Sequence, residues 1–209
     1  MKKAITIFLL CFAVPSTFGQ QSNSISLNLY GGYAFRDKLK FDNFYGYVNS
    51  AFEYGAGVEY FMQRTKSIEL RYLRMDTDLP LYGSGGTKLN EGKDAGAVNY
   101  ILIGGNSIFG SDIHAKTVPY AGLGVGVGIV SLKDVNNSTK FAWDARLGVK
   151  IKTSSTMSVN LHGYFQSVIA AAGDEFYVTS GGAEIALPEF ASIFQFGLGG
   201  ALCFNFKKK

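Results

Sequence analysis

Apolar side chains occupy alternate positions in eight separate stretches of this chain, and the face they form reads as free of Lys, Arg, Asp and Glu. The clearest stretch is the last, residues 194–206, where Phe194, Phe196, Leu198, Leu202, Phe204 and Phe206 lie opposite Gln195, Gly197, Gly199, Ala201, Cys203 and Asn205. A strand repeats every two residues, so such alternation predicts two-faced strands. The other seven are residues 25–35, 52–60, 68–75, 97–105, 118–130, 141–152 and 157–165. Stretch 97–105 is the weakest, because Ile101 and Ile103 blur an apolar face assigned to Val98, Tyr100 and Leu102.

The connections alternate in length. Residues 62–67 and 153–156 are short turns and 106–116 is intermediate. Residues 36–51, 76–96, 131–140 and 166–192 are mostly longer and carry the Gly, Asn, Asp and Ser of loops. Short turns at one end and long loops at the other are the layout of an outer-membrane barrel, and an even strand count places both ends of the barrel on the periplasmic side.

The first residues change the picture from a sheet to an exported sheet. Lys2 and Lys3, an apolar run from Ala4 to Val14, then Pro15, Thr17 and Gly19 read as a secretory leader over residues 1–19. Cys11 follows Leu9 and Leu10, so it is not read as a lipid anchor. Residues 20–209 are expected to be one domain, an all-β, eight-stranded, antiparallel, up-and-down transmembrane barrel. Beyond the leader no stretch approaches the roughly 18 apolar residues of a membrane helix. Any crossing is left to strands.

Charge agrees. Within the eight stretches Glu53, Glu59, Glu69, Arg71, Asp144, Arg146, Lys150 and Lys152 all fall opposite the apolar face. A basic residue on the lipid side at mid-bilayer costs about 2–4 kcal/mol, which explains that separation. Without the leader the chain has 18 basic against 16 acidic residues, a balance that argues for no nucleic-acid partner. Cys203 alone remains, so no internal disulfide is expected. A soluble lipocalin-like barrel would instead turn its polar face to water. The polar face here holds Gly122, Gly124, Gly126 and Gly128, and a solvated strand has no reason to prefer glycine. A crowded lumen does, since glycine leaves room for long side chains from neighbouring strands.

Leader, length, strand count and terminal segment together resemble the small eight-stranded outer-membrane proteins of the OmpA, OmpX and OmpW kind. The run Pro119-Tyr120-Ala121-Gly122-Leu123-Gly124-Val125-Gly126 is similar to a tract common in them. Gly199, Leu202, Phe204 and Phe206 resemble the family's assembly signal, which implies contact with the barrel-insertion machinery; Lys207, Lys208 and Lys209 depart from the usual ending. The resemblance implies a Gram-negative outer membrane and its lipid as surroundings.

Candidate chemistry is sparse. The glycine run has period two and lacks the G-x-G-x-x-G spacing of a phosphate cradle. No His or Cys cluster has metal spacing, and no cofactor is expected. Glu59 and Glu69 flank the 62–67 turn and should face one another, a repulsion that requires a cation between them. Glu53, Glu59, Glu69, Arg71, Asp144, Arg146 and Lys150 are therefore expected to form a salt-bridged lumen cluster, with a plug of Glu59, Glu69, Arg71, Arg146 and Lys150 at its centre. Phe41, Phe44, Tyr45, Tyr47, Leu79, Tyr82, Phe176 and Tyr177 lie in the outer loops, as interface anchors and loop packing or as docking aromatics for a surface partner. His114 falls in a turn. His162 has lumen parity with Ser158 four residues away, about 13 Å along a strand and too far for a hydrogen-bonded pair. The expected role is structural or surface-interacting and not enzymatic. A narrow conduit or pocket for small hydrophobic molecules, and a lipid A-modifying enzyme acting through His162, are the alternatives.

Overall fold

The computed structural model describes residues 23–40, 44–90, 94–110, 115–132, 137–154, 156–169, 176–180, 183–187 and 192–206. The leader, Phe41, His114 and Lys207–Lys209 lie outside them. Thirteen strands follow in chain order: β1 (Ser24–Ala34), β2 (Asp37–Lys40), β3 (Phe44–Val48), β4 (Ala51–Gln63), β5 (Lys66–Asp78), β6 (Leu81–Gly83), β7 (Ala95–Ile108), β8 (Thr117–Leu132), β9 (Ser138–Lys152), β10 (Met157–Ile169), β11 (Phe176–Ser180), β12 (Ala183–Leu187) and β13 (Ile193–Phe206). Eight of them close a barrel in the order β1-β13-β10-β9-β8-β7-β5-β4, with β4 returning to β1. All neighbouring pairs are antiparallel. These strands have 11 to 16 residues, more than the roughly 9–11 a tilted strand needs to cross a bilayer. The barrel wall therefore rises beyond the hydrocarbon.

The wall is apolar outside. Leu27, Leu29, Phe52, Val58, Leu70, Ile103, Val125, Leu147, Leu161, Phe196 and Leu198 are all exposed, Leu147 at 69%. In water so large an apolar girdle would be unstable; in acyl chains it costs nothing. Tyrosine and phenylalanine stand at both margins, Tyr60 and Phe206 at the turn end and Phe35, Phe52 and Tyr54 at the loop end. No helix among the described residues is long and apolar enough to cross a membrane.

Three expectations need correction. Val98, Tyr100 and Leu102 point inward, each fully buried, while Ile101 and Ile103 face out. Alternation fails to choose between faces when both are apolar. The outer face is also not free of charge: Arg74 and Asp76 of β5 lie on the side of Ile68, Leu70 and Tyr72 and pair with each other at 2.6 Å. Arg74 already falls within the expected stretch 68–75 and Asp76 just beyond it, both in the outer part of β5 where the wall leaves the hydrocarbon. The loops, finally, contain sheets of their own. β2, β3 and β6 form one three-stranded sheet and β11 and β12 a hairpin. Tyr47 N–H to Pro80 C=O and Asn49 N–H to Asp78 C=O, at 3.0 Å each, carry the pairing from the end of β5 into this outer sheet.

Candidate functional site

The lumen is filled in two layers. Nearer the turns it is ionic. Glu59 and Glu69 are direct cross-strand partners on β4 and β5, as the hairpin geometry requires, and Arg71 lies one inward step above Glu69. Across the barrel β9 supplies Asp144, Arg146 and Lys150, all inward. The two Arg side chains lie between the acids. Arg146 Nη2 donates to Glu69 Oε2 at 3.0 Å and its Nε is 3.3 Å from Asp144 Oδ2. Arg71 Nη2 donates to Asp144 Oδ1 at 2.7 Å, and its Nε is 3.4 Å from Glu69 Oε2. The result is a closed ring of alternating sign, Glu69–Arg146–Asp144–Arg71. Lys150 Nζ reaches Glu59 Oε2 at 3.8 Å and stands over the Phe61 ring.

Neutral side chains complete the ring. Asn28 donates to Glu69 at 2.7 Å and to Glu59 at 3.2 Å; Asn106 donates to Glu59 at 2.9 Å and accepts from Arg146 at 2.9 Å. The Tyr30 hydroxyl donates to Glu69 and the Ser67 hydroxyl to Glu59. A buried carboxylate demands this saturation, because each unfilled lone pair is costly away from water. Asn106 escapes the sequence reading because β7 runs to Ile108, beyond the turn boundary set at 106. Its signal is parity with Leu102 and Gly104. The glycines do what a crowded lumen requires: a Cβ at Gly124 would stand 2.9 Å from Arg71 Nη2, and one at Gly57 would stand 2.7 Å from Arg71 Cγ.

Glu53 does not join the ion pairs. It accepts from Gln166 Nε2 at 2.8 Å, and no cation among the described residues lies within ion-pair distance of it. It sits at the boundary with the second layer, beside a cavity lined in part by Tyr30, Arg71, Arg146 and Tyr164 that leaves about 10 Å3 for the centre of a water-sized sphere, room for one water. His162 is placed nearby, its Nδ1 2.8 Å from the Tyr120 hydroxyl and its ring among those of Tyr30, Tyr120 and Tyr164.

Above lies an apolar layer that the polar-lumen expectation does not contain. Leu73, Met75, Val98, Tyr100, Leu102, Val130, Ala142, Val168 and Ile193 form a packed cluster across the barrel. The outer sheet continues it: Val48 of β3 belongs to the cluster and Leu39 of β2 packs against it, and Leu79, between β5 and β6, also belongs to it. The other face of that sheet carries Tyr45, Tyr47 and Tyr82. Tyr45 and Tyr82 stack at 5.3 Å, Tyr47 meets both edge-on, and Arg36 lies 3.5 Å over the Tyr47 ring. The side chains of Phe44, Phe176 and Tyr177 lie outside the described part. Between β6 and β7 Lys88 donates to Asp94 at 2.8 Å, and this hydrogen bond, ahead of other causes, holds the Asp94 carboxyl below its ordinary range.

Leu202 and Phe206 of the terminal strand face outward and are exposed, with Phe204 half-buried beside them. Gly199 faces in, opposite Gly32, where a Cβ would come within 3.2 Å of the Gly32 Cα. No group of His, Cys, Asp and Glu among the described residues could hold a metal ion.

A family model described as surface antigen matches residues 108–192, less than half of the chain. No curated protein matches by sequence. Similar folds occur among solved structures. The outer membrane protein OprG of Pseudomonas aeruginosa is 12% identical, with a TM-score of 0.66 over 91% of this chain and 99% of that one. Neisserial surface protein A is 10% identical, with a TM-score of 0.60 over 88% and 98%. The outer membrane protease OmpT of Escherichia coli is 7% identical, with a TM-score of 0.50 over 91% and 99%. The apolar girdle and these likenesses in fold make the chain an integral β-barrel of the Gram-negative outer-membrane type.

Proposed function

We propose that the barrel is closed and non-enzymatic, and that it serves the outer membrane as a structural and surface-presenting element. The observation that carries this reading is the double filling of the lumen, an ion ring of Glu69, Arg71, Asp144 and Arg146 beneath an apolar layer of Leu73, Tyr100, Leu102 and Val168. Eight strands enclose space for side chains or one small ligand, and here side chains occupy it. A conduit for hydrophobic molecules would require both layers to rearrange.

Purified protein in planar lipid bilayers is expected to give no stepwise conductance and to take up no small apolar dye. Steady single-channel steps or saturable dye binding would sink the closed reading. The enzyme alternative places catalysis at His162, whose ring is held by a hydrogen bond with Tyr120 and by the neighbouring rings of Tyr30 and Tyr164. Under the present reading lipid A masses are the same with the native protein and with His162→Ala.

Two contacts belong to this proposal. Leu202, Phe204 and Phe206 form an alternate-position motif for the insertion machinery. Tyr45, Tyr47 and Tyr82 form the face offered to a surface partner, on a sheet whose reverse side is anchored in the barrel core.

A further inference from the structure

The charges at the centre of the lumen do not balance. Arg71 and Arg146 are matched by Glu69 and Asp144 in the ring, and Lys150 by Glu59. Glu53 has no such match. It is 5% exposed, Gln166 Nε2 donates to its Oε2 at 2.8 Å, and no cation among the described residues lies within ion-pair distance of either oxygen. Lys140, a further buried cation of β9, is not beside it and has an interaction of its own. A carboxylate shut away from water without a cation is costly, and such a group takes up a neutralising partner. Its position makes that partner reachable. Glu53 pairs with Met75 and its neighbour Tyr54 with Arg74, at the level where the wall leaves the hydrocarbon.

The space beside Glu53 decides what the partner can be. The cavity there has room for one water, and Arg71, Arg146, Tyr164 and Gln166 line it with Glu53. A divalent metal ion takes about six oxygen ligands. Both Asp144 oxygens are held by arginine and the Tyr30 hydroxyl donates to Glu69, which leaves Glu53 Oε1, the Gln166 side-chain carbonyl and the Tyr164 hydroxyl. Two guanidinium groups on the same wall also repel a further cation. A proton needs one oxygen only. Tyr164, itself 5% exposed, brings to the cavity a hydroxyl with no hydrogen-bond partner among the described residues. A buried hydroxyl in that state points to a water in the space it faces.

We propose that Glu53 is a proton-binding site: in the closed barrel its carboxyl is the neutral acid, Oε2 accepting from Gln166 and Oε1 carrying the proton toward a water shared with Tyr164. The ionisable groups that face it are Tyr30 of β1, Arg71 of β5, Tyr100 of β7, Asp144 and Arg146 of β9, and His162 and Tyr164 of β10, while β13 brings Gly199. The phenols are neutral, His162 is engaged by the Tyr120 hydroxyl, and the charged members belong to the balanced ring. Loss of the proton places an uncompensated charge against Leu73 and Tyr100 of the apolar layer. The site thereby ties the packing of that layer to pH, with the opposite sign to a salt bridge. Its contribution is full below the ordinary carboxylate range and is lost as pH rises through the value at which folded Glu53 ionises. Whether the lumen conducts does not enter.

The test is infrared spectroscopy of the full protein in an ester-free detergent. At neutral pH the native protein is expected to show the carbonyl stretch of a protonated carboxylic acid, lost in Glu53→Gln and displaced in Glu53→Asp. Urea unfolding of the native protein and of Glu53→Gln reads the linkage. Relative to Glu53→Gln, the folding constant of the native protein should fall by up to about tenfold per pH unit between the ordinary carboxylate range and the pH at which the acid band disappears. Heat-modifiable migration identifies the folded variants, and Glu53→Asp carries the assignment if Glu53→Gln does not fold. No acid band at neutral pH, a band that persists in folded Glu53→Gln, or a pH dependence common to both proteins would overturn the site. So would a midpoint that follows sodium concentration at fixed pH, since the occupant would then be a metal ion.

Discussion

Arg71 is 2% exposed and contacts acids from two different strands, Glu69 beside it and Asp144 across the lumen. Removing it leaves two carboxylates facing one cation, Arg146, in a medium where unpaired charge is expensive. Arg71→Ala is therefore expected to cost about 3–5 kcal/mol, the range for breaking a buried pair from one side. Urea unfolding in phospholipid vesicles measures it, and an unchanged midpoint would remove the plug from the account of stability. The neighbouring glycine is constrained by the same ring. At Gly124 any side chain competes with Asp144 and Arg71 for one space, so the two residues opposite each other are chosen as a pair.

At the scale of the strand, β9 separates its faces completely: Asp144, Arg146 and Lys150 are buried while Phe141 and Leu147 meet lipid. Placing a charge on the wrong face measures that separation. Leu147→Lys is expected to destabilise the barrel by about 2–4 kcal/mol, the mid-bilayer cost of a basic side chain. The same substitution assayed in short-chain detergent, which lets the ammonium reach water, should cost less. β7 teaches the opposite lesson, since both of its faces are apolar and parity alone leaves its orientation open. The segment between β6 and β7 is expected to respond to pH instead. Asp94 has its carboxyl lowered by Lys88, so the pair's contribution is present above the ordinary carboxylate range and is lost as pH falls through the lowered folded value. Proteolysis of the segment between β5 and β7 should rise in acid. Asp94→Asn should flatten that dependence, and an unaltered profile would show that the pair does not hold the segment.

For the whole molecule, the two lumen layers act in series. Arg71→Ala disturbs the ionic layer and leaves Leu73, Tyr100 and Leu102 packed above it, so this variant is expected to remain silent in planar bilayers. Conductance should appear only when Tyr100→Gly and Leu102→Gly are added. A conducting Arg71→Ala would mean that the ion ring alone is the seal. Closure of the sheet explains why so many buried charges are tolerated: every strand hydrogen bond is satisfied within the wall, leaving no edge to protect. The charges then have only to satisfy one another.

Alternation of side chains was sufficient for the class of fold, the strand count and the inward parity of Glu59, Glu69, Arg71, Asp144, Arg146 and Lys150. Those follow from a period of two together with the price of charge in hydrocarbon, and both are local. The pairing of Glu59 with Glu69 was legible too, because a short turn joins their strands. Partners across the barrel were not: Arg71 meets Asp144, and Arg146 meets Asn106 and Tyr30, only after closure sets the stagger of eight strands. The inward turn of Val98, Tyr100 and Leu102 and the outer sheet depend on that same stagger, since a strand carries no record of which rows lie beside it until the cylinder has closed.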